Sequence, residues 1–88
     1  MYYYKLRESV ERIFFKLSKK NPKQLEIIEQ KIKEIIKDPH HYKNLRKPLQ
    51  HLKRVHIDKS FVLVFSVDES NNKVIIEDYN HHDKIYKV

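Results

Sequence analysis

Six histidines, at positions 40, 41, 51, 56, 81 and 82, all follow Pro39, and none precedes it. Imidazole changes charge near neutral pH, with an unperturbed pKa of about 6.5, so one ring can take a proton in one step and return it in the next. The same half of the chain is basic. Between positions 40 and 60 stand Lys43, Arg46, Lys47, Lys53, Arg54 and Lys59 against the single acid Asp58. Cations at that density suit a phosphate backbone, whose contacts with Lys and Arg supply most sequence-independent affinity for nucleic acid. RNA offers a reaction that uses both sets. Its 2′-hydroxyl attacks the adjacent phosphorus once a base removes the proton, cations stabilise the crowded phosphorane, and an acid protonates the departing 5′-oxygen. The available groups are His56 with Arg54, and His82 or His81 with Tyr86 in the tail. A tyrosine ring beside a basic patch can also stack on a splayed base, worth about 1–3 kcal/mol.

Other chemistries fit less well. With no cysteine there is neither a disulfide framework nor a thiolate metal site. With no glycine, the phosphate-cradling loops of Walker and Rossmann sites are ruled out, and any anion must be met by side chains. Spacing argues against a histidine metal site: the adjacent pairs His40-His41 and His81-His82 diverge if extended, and no helical His pair exists. Asp68, Glu69, Glu77 and Asp78 divide between a turn and a strand and read as solvated charges. The expectation is therefore a site with no metal and no cofactor.

Two helices must come first. Val10, Ile13, Phe14 and Leu17 recur at helical spacing over 8–20, and Leu25, Ile28, Ile32, Ile35 and Ile36 line a second stripe ending at Lys37. Asn21 is placed to cap the second helix and Pro22 to open it, so the link is short enough for an antiparallel hairpin. Tyrosines 2–4 favour an opening strand. After Pro39 the stretch 40–52 reads as a basic loop. Val55 and Ile57 then alternate with Arg54 and His56, which puts the two polar residues on one strand face. A turn at 58–60 leads to 61–67, a β-branched and aromatic run expected as a central strand buried on both faces. A second turn at 68–72 and a strand at 74–79 precede the tail. Helices followed by a strand meander give an α+β class, an N-terminal helix hairpin packed on a small antiparallel sheet. The opposite sheet face carries Arg54 and His56, and the tail is expected to return beside them.

The 88 residues are read as one domain, 1–88, too short for a separate cofactor domain. The formal charge of +7 draws polyanions or an acidic partner. No apolar run approaches the roughly 20 residues of a membrane span, and no export signal opens the chain, so a cytoplasmic protein without a membrane partner is expected.

With these elements in order, the chain resembles the RelE/ParE superfamily of toxins, and specifically its RelE branch, over nearly its whole length. The resemblance rests on the helix hairpin, on Leu49-Gln50-His51-Leu52-Lys53-Arg54-Val55-His56, on Phe61-Val62-Leu63-Val64-Phe65 before an acidic turn, and above all on His81-His82-Asp83-Lys84-Ile85-Tyr86. It implies a microbial-ribonuclease-like fold and a ribosome-dependent, metal-independent endonuclease that cuts mRNA in the A site. It also implies an acidic antitoxin of the RelB type, with operator DNA bound only through the toxin–antitoxin complex. By position, Arg54 and His56 resemble the family's alternating basic pair, Tyr86 the tail tyrosine that stacks on the substrate base, and His82 a catalytic tail position. Arg46, Lys47, Lys53 and His81 are the expected RNA-binding residues. One position departs: where many members carry an arginine in the central strand, this chain has Val62, which Arg46, Lys47 or Lys53 could offset. Two alternatives stand beside this reading, a ParE-like inhibitor of DNA gyrase and a plain nucleic-acid-binding module.

Overall fold

The computed structural model describes residues 1–85. Strand β1 (Tyr3–Leu6) leads into helices α1 (Glu8–Lys20) and α2 (Pro22–Lys37), separated by Asn21 alone. Asn21 closes one helix and opens the next. Its N–H donates to the Leu17 carbonyl, and its side chain accepts from the Gln24 N–H at 3.2 Å, with Pro22 at the first helical position. A 3-10 turn, Pro39–His41, and the loop 42–52 follow. Strands β2 (Lys53–Ile57), β3 (Phe61–Asp68) and β4 (Lys73–His81) then form a meander, and the short helix α3 (His82–Ile85) follows β4 directly.

The sheet order is β1-β4-β3-β2. β2, β3 and β4 pair antiparallel, but β1 pairs parallel to β4, so the sheet is mixed rather than antiparallel throughout. The reason is topological: a parallel neighbour needs a long connection, and everything between Leu6 and Lys73 supplies it. Two turns require left-handed backbone, and in a chain without glycine they fall on Asp58 (φ 58°) and Asn72 (φ 53°), residue types that tolerate that region.

The helical stripes form the main core against one sheet face. Val10, Phe14, Ile28, Ile32 and Ile35 pack there on Ile57, Leu63, Phe65, Val74, Ile76 and Tyr79. A buried hydrogen bond from Gln24 Nε2 to the Tyr79 hydroxyl (2.9 Å) ties α2 to β4. Val62 and Val64 point the other way. With Leu45 and Ile85 they make a second apolar cluster, flanked by Leu49 and Leu52. The expectation that the central strand is buried on both faces is therefore met by two separate clusters.

A bulge opposite Val64 and Phe65 leaves Glu77 without a register partner. Its carboxylate accepts from Arg7 Nε (2.9 Å) and from Ser66 Oγ (2.6 Å), joining the start of α1 to the sheet. Burial works to raise the Glu77 carboxyl, but the bonds from Arg7 and Ser66 and the charge of Arg7 outweigh it and hold the group below the usual carboxylate range. Since the folded value lies below the unfolded one, about 4.3, this stabilisation is complete above that pH and lost as pH falls through the folded value. Urea unfolding of Glu77→Gln should show a loss of about 1 kcal/mol at pH 7, and the gap from wild type should narrow as pH falls below about 4.3 and close once the folded-state carboxylate is protonated.

Candidate nucleic-acid site

The register of β2 on β3 sets Arg54 opposite Val64 and His56 opposite Val62. Both therefore lie on the sheet face that the helices leave bare. Over that face the loop 42–52 folds back, because Leu45 and Leu52 are drawn to Val62 and Val64. The loop is also hydrogen-bonded to itself: Leu45 N–H donates to the Leu52 carbonyl (2.8 Å) and Asn44 Nδ2 to the Gln50 carbonyl (2.6 Å). The Arg54 N–H, donating to the Lys43 carbonyl (3.1 Å), ties the strand to the loop.

The result is a cavity of about 570 Å³ lined by Leu45, Arg46, Lys47, Pro48, Leu49, Arg54, His56 and Ile85. Its size falls within the roughly 300–1,000 Å³ of small-ligand sites. Its lining divides in two. Arg46, Lys47 and Arg54 supply cations and His56 an imidazole, and among the described residues no carboxylate joins them. Leu45, Pro48, Leu49 and Ile85 supply an apolar wall. Such a hollow offers a phosphate its counter-charges and a base a dry surface at once.

The expected site residues divide accordingly. Arg54, His56, Arg46 and Lys47 meet in the cavity. Lys53 does not, since it pairs with Phe65 on the helix side of the sheet and its ammonium donates to the Tyr42 carbonyl (3.1 Å) and Asn44 Oδ1 (3.0 Å). It holds the base of the loop and is not placed to offset the missing arginine at Val62, which is itself fully buried. His81 pairs with Phe61 and packs its ring edge on that aromatic, away from Arg54. His56 stands with Arg54 in the cavity as the strand alternation expects, whereas His82, whose backbone N–H donates to the Ser60 carbonyl and whose ring sits beside Asp83, is not among the residues lining it. The tail returns through Ile85; Tyr86, the next residue, lies outside the described residues. His40 is bound to Glu69 and His41 packs on Tyr42. Sequence reasoning missed the apolar wall and Asn44, although leucines at 45, 49 and 52 within a basic loop signal a buried side.

No protein-family model matches the chain. A protein of Methanosarcina mazei with no assigned activity is identical at 62% over 86 residues, spanning 98% of this chain and all of that protein. A protein of Methanocaldococcus jannaschii, assigned the name toxin RelE4, is identical at 58% over 87 residues, spanning 99% of this chain and 93% of its own length. Among solved structures, the RelBE2 toxin–antitoxin complex of Mycobacterium tuberculosis contains a chain that superposes with a TM-score of 0.75 at 21% identity, covering 91% of this chain and 96% of that one. The fold is that of the RelE-like toxins. The chain belongs to the RelE family of toxins, and the name carried by the M. jannaschii relative favours that branch over the ParE-like alternative. No helix among the described residues is long and apolar enough to cross a membrane.

Asn44 accepts from Lys53 and donates to Gln50, so its removal should loosen the loop and leave the helical core intact. Amide hydrogen exchange of Asn44→Ala should show protection at Leu45 and Leu52 falling about tenfold, with α1 and α2 unchanged.

Proposed function

We propose that this toxin is an endoribonuclease that cuts mRNA in the ribosomal A site and so arrests translation in the cytoplasm. The observation that carries the reading is the meeting of Arg54 and His56 with Arg46 and Lys47 in one cavity whose wall includes Ile85, the residue before Tyr86. His56 takes the proton of the 2′-hydroxyl; the O2′–phosphorus bond forms and the phosphorus–O5′ bond breaks, leaving a 2′,3′-cyclic phosphate. Arg54, with Arg46 and Lys47, neutralises the phosphorane, a role that needs no metal. The proton required by the departing 5′-oxygen comes from the tail, where His82 and Tyr86 are the candidates, and the Tyr86 ring stacks on the base. Val62, buried beneath Leu45 and Ile85, brings no cation to the cavity, so its positive charge comes from Arg54 of β2 and from Arg46 and Lys47 of the loop.

An acidic RelB-type antitoxin is the partner in this reading. A chain of opposite charge can fold across the basic loop on binding, and the resemblance to toxin chains from RelBE complexes supports the same arrangement. Operator DNA is then met only through that complex. A small acidic protein encoded beside this gene is the expected genomic setting.

Arg54→Ala and Tyr86→Ala should each relieve growth arrest and lower A-site cleavage by about 100-fold or more, read by primer extension on ribosome-bound mRNA. Arrest with intact mRNA and blocked supercoiling would select gyrase inhibition instead. Intact mRNA with only salt-sensitive binding would select the binding module.

A further inference from the structure

The corner where β4 gives way to α3 sets three metal-ligating side chains together. His81 Nδ1 lies 3.5 Å from Asp83 Oδ2 and His82 Nδ1 lies 2.9 Å from Asp83 Oδ1. One ligand atom from each of the three residues falls within 4.8 Å of the others. Extended backbone would send neighbouring imidazoles to opposite faces. The helical turn that begins at His82 instead brings the two rings to a centroid separation of 4.7 Å, which removes the spacing argument against a histidine metal site. Bonds of about 2.1 Å from zinc to nitrogen or oxygen put two ligands of a tetrahedron about 3.4 Å apart. His81 Nδ1 stands at that distance from Asp83 Oδ2, and His82 Nδ1, at 2.9 Å from Oδ1, is within about half an ångström of it.

We propose that His81, His82 and Asp83 bind one divalent transition-metal ion, zinc or nickel, with the remaining coordination left to water. Two imidazoles and one carboxylate favour such an ion over magnesium or calcium, which take oxygen shells. Both histidines are held in advance, His81 by its edge contact with Phe61 (5.7 Å between centroids) and His82 by its N–H bond to the Ser60 carbonyl (2.8 Å). That lowers the ordering cost of binding. The ion fixes the first turn of α3, whose last residue, Ile85, closes the cavity. It also engages His82, one of the two candidates that the ribonuclease reading offers for the acid, so zinc slows cleavage where His82 takes that role. Binding itself does not rest on that reading.

Isothermal titration of the untagged full chain with zinc chloride, and separately with nickel chloride, tests the site. The expected result is one ion per chain, with affinity reduced about tenfold or more in His82→Ala and Asp83→Asn and kept in His40→Ala. Excess magnesium chloride should leave the zinc titration unchanged. No zinc binding by the wild type, or binding kept in both site variants, overturns the proposal. Should a variant fold poorly, NMR of the wild-type imidazoles decides: zinc shifts the His81 and His82 ring signals if the proposal is right and those of other histidines if it is wrong. Zinc binding by a protein that, freed of metal by chelation, still leaves mRNA uncut would count against the ribonuclease reading and leave the metal site standing.

Discussion

Val62 and Val64 turn their side chains to the sheet face that the helices leave bare, and the concavity of that face depends on covering them. Each is almost wholly buried, by Leu45 of the loop and Ile85 of the tail. Burying a side chain of this kind contributes about 1.5–3 kcal/mol. That is enough to hold a basic loop against strands it would otherwise leave, since its cations repel one another. The apolar contact thus positions the charged ones: Arg46 and Lys47 reach the cavity because Leu45 beside them is anchored.

The structure divides its tasks by sheet face. On one side α1 and α2 supply the larger core, tied by the Gln24–Tyr79 hydrogen bond. On the other, the β2 register sets Arg54 and His56 over the second cluster. A one-residue slip of β2 would carry both to the helix side and bring Val55 out, so the packing of half-buried Val55 and buried Ile57 fixes where Arg54 and His56 point. The left-handed turn at Asp58 lets β2 return tightly along β3. Catalytic geometry in this reading follows from core packing, with the loop carrying charge and the sheet carrying precision.

Much of this was legible in the sequence, for identifiable reasons. Helical periodicity placed α1 and α2, and Asn21-Pro22 marked their junction because capping chemistry is local. Alternation at Arg54, Val55, His56 and Ile57 gave the face of the basic pair before any fold was known. Pairings between distant segments were not legible: nothing local to Tyr3–Leu6 says that it runs parallel to β4, and nothing in Lys53 says that its ammonium binds the Tyr42 carbonyl. The divergence expected of His81 and His82 on extended chain gives way to a helical turn at His82, which sets both rings beside Asp83.

The central claim is that the cavity between loop and sheet is where RNA lies. NMR titration of the isotope-labelled protein with a short RNA carrying a 2′-deoxy substitution at the scissile position, which blocks cleavage, tests it most directly. Shifts concentrated at Leu45, Arg46, Lys47, Arg54, His56 and Ile85, and weakening as salt is raised, are the predicted result. Shifts confined to the solvent faces of α1 and α2, with those six residues unmoved, would contradict it.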